Sequence, residues 1–181
     1  MLLLVFCLIF FNFHHPGELK INRNLDREAI NQYNLKVKAK DNGSPSRDAT
    51  ADVSITITDI NDNRPAFTKN LFRYTVNENA ANDASIGQLS AGDRDIGTNA
   101  QLEYKGWTSG KPISVTKNGL VKVSGAIDYE TTKQYTISVQ VTDKGNPPLT
   151  ADSQVVIQVK IFISLKDKSV VGVIHDKVQD T

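Results

Sequence analysis

The chain repeats itself once, without a gap, at an offset of 102 residues, and this limits its fold more than any other feature. Gly17 falls on Gly119, Asp26 on Asp128, Glu28 on Glu130 and Tyr33 on Tyr135. Leu35, Val37 and Ala39 fall on Ile137, Val139 and Val141, and Asp41 and Gly43 on Asp143 and Gly145. Val53, Ile55 and Ile57 fall on Val155, Ile157 and Val159. A period of about 100 residues suits a small all-β sandwich and is too long for one helical solenoid unit.

The local patterns point the same way. Tyr33, Leu35, Val37 and Ala39 alternate with polar residues, as do Val53, Ile55 and Ile57 and the counterparts of both runs. A period of two puts one face of a strand in a core and the other in water. Between the strands lie Asp41-Asn42-Gly43-Ser44-Pro45 and Lys144-Gly145-Asn146-Pro147-Pro148, residues that make turns. The second repeat, 64–160, is expected to carry seven strands, near Arg73–Asn77, Ile86–Ala91, Leu102–Tyr104, Ile113–Val115, Leu120–Val123, Tyr135–Val141 and Ser153–Lys160. The expectation is an all-β, Greek-key, seven-stranded sandwich.

The first repeat, 12–63, shows equivalents of the last four strands alone, with Phe11 and Phe13 standing where Ile113 and Val115 stand later. It is therefore expected to be a truncated repeat ahead of a complete one. Residues 1–11 read as an apolar leader, shorter than the roughly 20 residues that span a bilayer. The run lacks the basic flank and small-residue cleavage site of a working signal peptide, and is expected to be an irregular chain start. Residues 161–181 read as a non-repeat tail, because Ile161–Leu165 stand where Asp59–Asn63 would recur. No segment is long and apolar enough for a membrane anchor.

Composition excludes several function classes. The net charge of +1 gives no basic field for nucleic acid. A lone cysteine, Cys7, allows neither a disulfide framework nor a zinc site of cysteines. No nucleophile–base pair, phosphate loop or H-E-x-x-H pattern appears, so neither an enzyme nor a small-molecule substrate is expected. His14, His15 and His175 lie in the least repeat-like segments and read as solvated. Trp107 reads as packing.

One stretch carries chemistry. Asp59-Ile60-Asn61-Asp62-Asn63 packs carboxylates and carboxamides together before Arg64-Pro65, where the proline keeps its predecessor extended. Alone, it is as readily a polar turn as a metal ligand set; Asp and Asn suit turns, and their oxygens suit Ca²⁺. Five other motifs accompany it in order: Leu25-Asp26-Arg27-Glu28, Asp41-Asn42-Gly43, Asn77-Glu78-Asn79, Asp93-Arg94-Asp95-x-Gly97-x-Asn99 and Asp143-x-Gly145. Together, over residues 12–160, they resemble the extracellular repeats of the cadherin superfamily, with protocadherin or Fat/Dachsous types nearest.

The resemblance implies Ca²⁺ held between successive repeats, three ions to a junction. Asp26 and Glu28 would give carboxylates from the first repeat. Asp59 and Asp62 would give linker carboxylates, Asn61 a side-chain oxygen, and Ile60 and Asn63 backbone carbonyls. Asp93, Asp95 and Asp143 would complete the sites, with Asn99 through its carbonyl. Seven carboxylates gathered at one junction repel unless divalent cations neutralise them. The bridging glutamate that Glu78 supplies in the second repeat has no counterpart in the first, so two of the ions are expected to bind more weakly. Asp41, Glu78, Asp128 and Glu130 match positions serving other junctions and are expected to be solvated.

The function implied is calcium-dependent cell–cell adhesion at the extracellular cell surface. The partners would be cadherin repeats of the same or another cadherin-like protein. A second reading is a soluble or non-functional receptor fragment that binds calcium weakly and mediates no adhesion.

Overall fold

A computed structural model of the chain describes residues 4–5, 11–14 and 17–161. Every regular element among them is a β-strand, so the class is all-β as the alternation predicts. The chain forms two units. The first takes Met1–Pro65 with the loops Gly92–Gln101 and Asp143–Leu149; the second takes Ala66–Ala91, Leu102–Thr142 and Thr150–Thr181.

In the first unit the strands are β1 (Leu4–Val5), β2 (Phe11–His14), β3 (Glu18–Ile21), β4 (Gln32–Lys40) and β5 (Asp48–Thr56). The order β1-β4-β5 makes one sheet, and β2 pairs with β3. Phe11, Tyr33 and Leu35 are buried, with Leu19, Leu25, Val53, Ile55 and Ile57 packed around them. Phe11 meets Tyr33 edge to face at 5.1 Å, a preferred aromatic geometry.

The second unit holds β6 (Ala66–Phe67), β7 (Leu71–Asn77), β8 (Ser85–Gln88), β9 (Ala91–Gly92) and β10 (Leu102–Trp107). It continues with β11 (Ile113–Val115), β12 (Leu120–Val123), β13 (Gln134–Asp143) and β14 (Thr150–Lys160). One sheet runs β10-β13-β14-β7, another β11-β12-β8, and β6 pairs with β9. Inward residues of both larger sheets share one core, Phe72, Val76, Ile137, Val139, Val155, Ile157 and Val159 packing with Ile113, Val121 and Val123. This is a sandwich, and β7 lies parallel to β14, Phe72 opposite Val155. Gly87 in β8 is required by packing, since a Cβ there would enter the ring of Tyr74.

The 102-residue offset extends to strand register. Tyr33 pairs with Ile55 and Tyr135 with Ile157. Phe11 pairs with Ile21 and Ile113 with Val123.

Two details differ from the sequence expectation. Leu4–Val5, read as leader, pairs with Lys38 and Val37 in the sheet, and Phe11 is core. A short apolar run looks alike as strand, leader or helix, because it shows no period. The first unit thus carries a fifth strand, β1, at the offset of the end of β10. The strand expected at Ile86–Ala91 is divided: β8 pairs with β12, then buried Leu89 intervenes before β9 pairs with β6. The side chains of His14, His15, His175 and Cys7, and the tail from residue 162, lie outside the described residues. Among the described residues no helix is long and apolar enough to cross a membrane.

Candidate metal centre

The site is built from four pieces of chain, all in the first unit: the turn after Leu25, the Asp59–Asn63 stretch, and the loops 92–101 and 143–149. Three of the pieces are each held by an aspartate of their own. Asp26 Oδ1 accepts from Ala29 N at 3.2 Å while its carbonyl accepts from Ile30 N, closing one turn. Asp93 Oδ1 accepts from Asp95 N at 3.0 Å. Asp143 accepts from Gly145 N at 2.9 Å and Leu149 N at 3.1 Å, closing its loop. Asp41 closes the equivalent earlier loop by accepting from Gly43 N and Arg47 N. These are the local side-chain-to-backbone bonds that make Asp a loop residue.

Glu28, Asp62 and Asp95 converge, each offering a carboxylate oxygen, all within 4.8 Å of one another. Oxygens sharing one ion at about 2.3–2.6 Å lie no more than about 5 Å apart, so this spacing suits a common ion. Asp95 is 4% exposed and also accepts from Asn63 Nδ2 at 2.7 Å and Asn63 N at 3.3 Å. Asn63 Nδ2 reaches Asp62 Oδ1 at 2.8 Å as well, so one carboxamide spans two carboxylates.

A second group forms around Asn61. Its Nδ2 donates to Asp143 Oδ1 at 3.2 Å and to Pro147 O at 2.7 Å. Asn61 Oδ1 and Asp93 Oδ2 are buried and have no hydrogen-bond partner. Buried acceptors left without donors are costly, and a bound cation satisfies them.

A third group surrounds Asp59. Its Oδ2 accepts from Asn99 Nδ2 at 2.9 Å and Ile96 N at 3.1 Å, and its Oδ1 forms an ion pair with Arg27 Nε. Burial pushes this carboxyl up, but those hydrogen bonds and the Arg27 charge outweigh it and hold the group below the ordinary aspartate value.

The structure thus gathers Glu28, Asp62 and Asp95 directly, and Asn61 with Asp143, while Asp59 faces Arg27. Asp26 serves its own turn. Ile60 is exposed and its carbonyl accepts from Asp62 N at 3.0 Å. Asn63 and Asn99, predicted through their carbonyls, act here through side-chain amides. Arg27 and the Asn63 carboxamide are the participants that motif spacing does not reveal. Arg27 sits inside the Asp26–Glu28 motif, and a cation between two carboxylates is the signal that identifies it. The donor set fits a hard divalent cation: oxygen only, rich in carboxylate, with orphaned acceptors.

Gly145 is part of this design, because a Cβ there would occupy the place of the Asn61 carboxamide. Gly145→Ala should swing Asn61 away and break its bonds to Asp143 and Pro147, costing about 2 kcal/mol. Chemical denaturation in chelator checks this, and calcium titration of the same variant should show weakened binding.

Fold and site define an all-β protein with a sandwich unit and an acidic cluster of loops. A family model described as Cadherin domain matches residues 10–58 and 72–160, and the chain belongs to that family. It is 39% identical to protocadherin Fat 4 of Mus musculus over 135 residues, which cover 74% of this chain and 3% of that one. It is 35% identical to protocadherin alpha-10 of Mus musculus over 150 residues, 80% of this chain and 16% of that one. A structure of protocadherin gamma B2 extracellular cadherin domains 3–6 superposes with a TM-score of 0.80 at 30% identity, covering 88% of this chain and 40% of the other. A mouse cadherin-23 crystal structure gives 0.75 at 31%, covering 84% and 50%. The chain spans 3% and 16% of the two protocadherins and half or less of the two solved chains, and these relatives are cadherins, not enzymes.

Proposed function

We propose that the chain is a calcium-binding segment of a cell-adhesion rod, in which Ca²⁺ at the Asp59–Asn63 stretch stiffens the linker between successive repeats. The observation that carries this reading is the convergence of Glu28, Asp62 and Asp95 beside the orphaned oxygens of Asn61 and Asp93. Asp26, Asp59, Asp143 and the carbonyls of Ile60, Asn63 and Asn99 complete the proposed ligand set. The sandwich supplies no reacting group; its work is geometric. Sites of this class outside cells bind with Kd of about 10⁻⁴–10⁻³ M, so millimolar calcium fills them from about one half to nine-tenths. The extracellular domains among the similar structures support placement at the cell surface, facing cadherin repeats of the same or a related protein.

Thermal unfolding of the whole chain in millimolar calcium and then in chelator tests this. Ten-fold saturation stabilises by about 1.4 kcal/mol per site, so the midpoint should rise by several degrees with calcium. Asp128→Ala is the control. Asp128 accepts from Glu130 N and the Thr131 hydroxyl, which hold its carboxyl below the ordinary value, within the second unit. That variant should unfold earlier yet keep the full calcium shift. An unchanged midpoint in chelator, with no calcium heat by calorimetry, would end the reading.

A further inference from the structure

The guanidinium of Arg27 stands inside the acidic cluster. Its Nε pairs with Asp59 Oδ1, its Nη2 with Glu28 Oε1, and Nη2 also donates to Arg94 O at 2.7 Å. The side chain is 12% exposed, as is that of Asp59. Arg27 Nε and Asp59 Oδ1 are both buried and meet as an ion pair. Glu28 meanwhile belongs to the carboxylate group that converges at coordination spacing. One cation of the chain therefore already holds two of the carboxylates on which a divalent ion would draw.

The turn itself does not require an arginine. At the 102-residue offset Arg27 falls on Tyr129, and the turn there closes with the same backbone bond, Thr132 N to Asp128 O at 3.0 Å against Ile30 N to Asp26 O at 2.9 Å. What is particular to position 27 is charge, placed among carboxylates.

We propose that Arg27 is an internal competitor of calcium, neutralising Asp59 and Glu28 when the ion is absent and raising the calcium concentration at which the cluster fills. This rests on the calcium reading above. A fixed positive charge touching two ligand carboxylates repels an incoming divalent ion, and also lowers the repulsion that would otherwise open the metal-free cluster. Both effects act against binding. Arg27 stabilises the apo form and weakens binding, which narrows the gap between the two states.

The test compares the full chain with Arg27→Gln and Arg27→Lys by calcium calorimetry and by melting in calcium and in chelator. Arg27→Gln should melt earlier in chelator, show a larger calcium shift than the wild type, and bind calcium on the order of tenfold more tightly. Arg27→Lys keeps the charge and should stay within about threefold of wild type. If Arg27→Gln is unfolded in chelator and folds on adding calcium, the same competition is shown. A calcium shift in Arg27→Gln equal to or smaller than wild type overturns the proposal, as does Arg27→Lys tightening as much as Arg27→Gln. A wild type that shows no calcium shift instead overturns the calcium reading itself.

Discussion

Asp95→Ala is expected to abolish most of the calcium-induced rise in melting temperature and to lower the midpoint measured in chelator. Asp95 is the buried member of the converging carboxylates, and it anchors Asn63 through two donors. Truncation leaves Asn63 N without its acceptor and Asn63 Nδ2 with Asp62 alone, at about 1–3 kcal/mol, and removes a ligand from the proposed centre. Asp95→Asn separates the effects. It keeps one of the two acceptors that Asn63 uses and removes one negative charge from beside Asp62 and Glu28, so its midpoint in chelator should lie above that of Asp95→Ala. Its calcium shift should still be mostly lost. A full calcium shift in Asp95→Asn would show that the ion, if bound, does not use this carboxylate.

Ile157→Ala should destabilise the second unit by about 3–4 kcal/mol whether or not calcium is present. Ile157 is fully buried in β14, opposite Tyr135 on one side and Tyr74 on the other, and packs in the core shared by the two sheets. Neighbouring strands fix the backbone, so the space left by the missing carbons closes only in part. Trp107, the chain's one tryptophan, lies in β10 of the same unit and reports the transition by fluorescence. A loss below about 1 kcal/mol would mean that the core relaxes into the space, contrary to packing of this density.

The fold was legible where one face of a strand is buried. In β13 and β14 the inward series Ile137, Val139, Val141 and Val155, Ile157, Val159 supplies the alternation that places them. The ends of these strands were less legible. β14 begins at Thr150, before the predicted Ser153, and there Gln140 pairs with Asp152 on the exposed face, a contact between polar residues that mimics a loop. β1 escaped notice because Leu4–Val5 sits in an unbroken apolar run with no period to read. In the site, residue types announced the carboxylates, and spacing supplied their order along the chain. The roles of Arg27 and the Asn63 amide depend on which carboxylates stand within reach once four separated pieces meet. Linear order does not encode that proximity.

The matched register of the two repeats has a consequence for how such a chain can change in length. The hairpins β4–β5 and β13–β14 pair residue for residue at the same offset, as do β2–β3 and β11–β12. A gene cut at one position and rejoined at its counterpart 102 codons away would encode a hairpin with every inward side chain still facing inward. Unequal crossing-over between such copies therefore adds or removes whole modules without scrambling these hairpins, wherever within the matched stretches the junction falls.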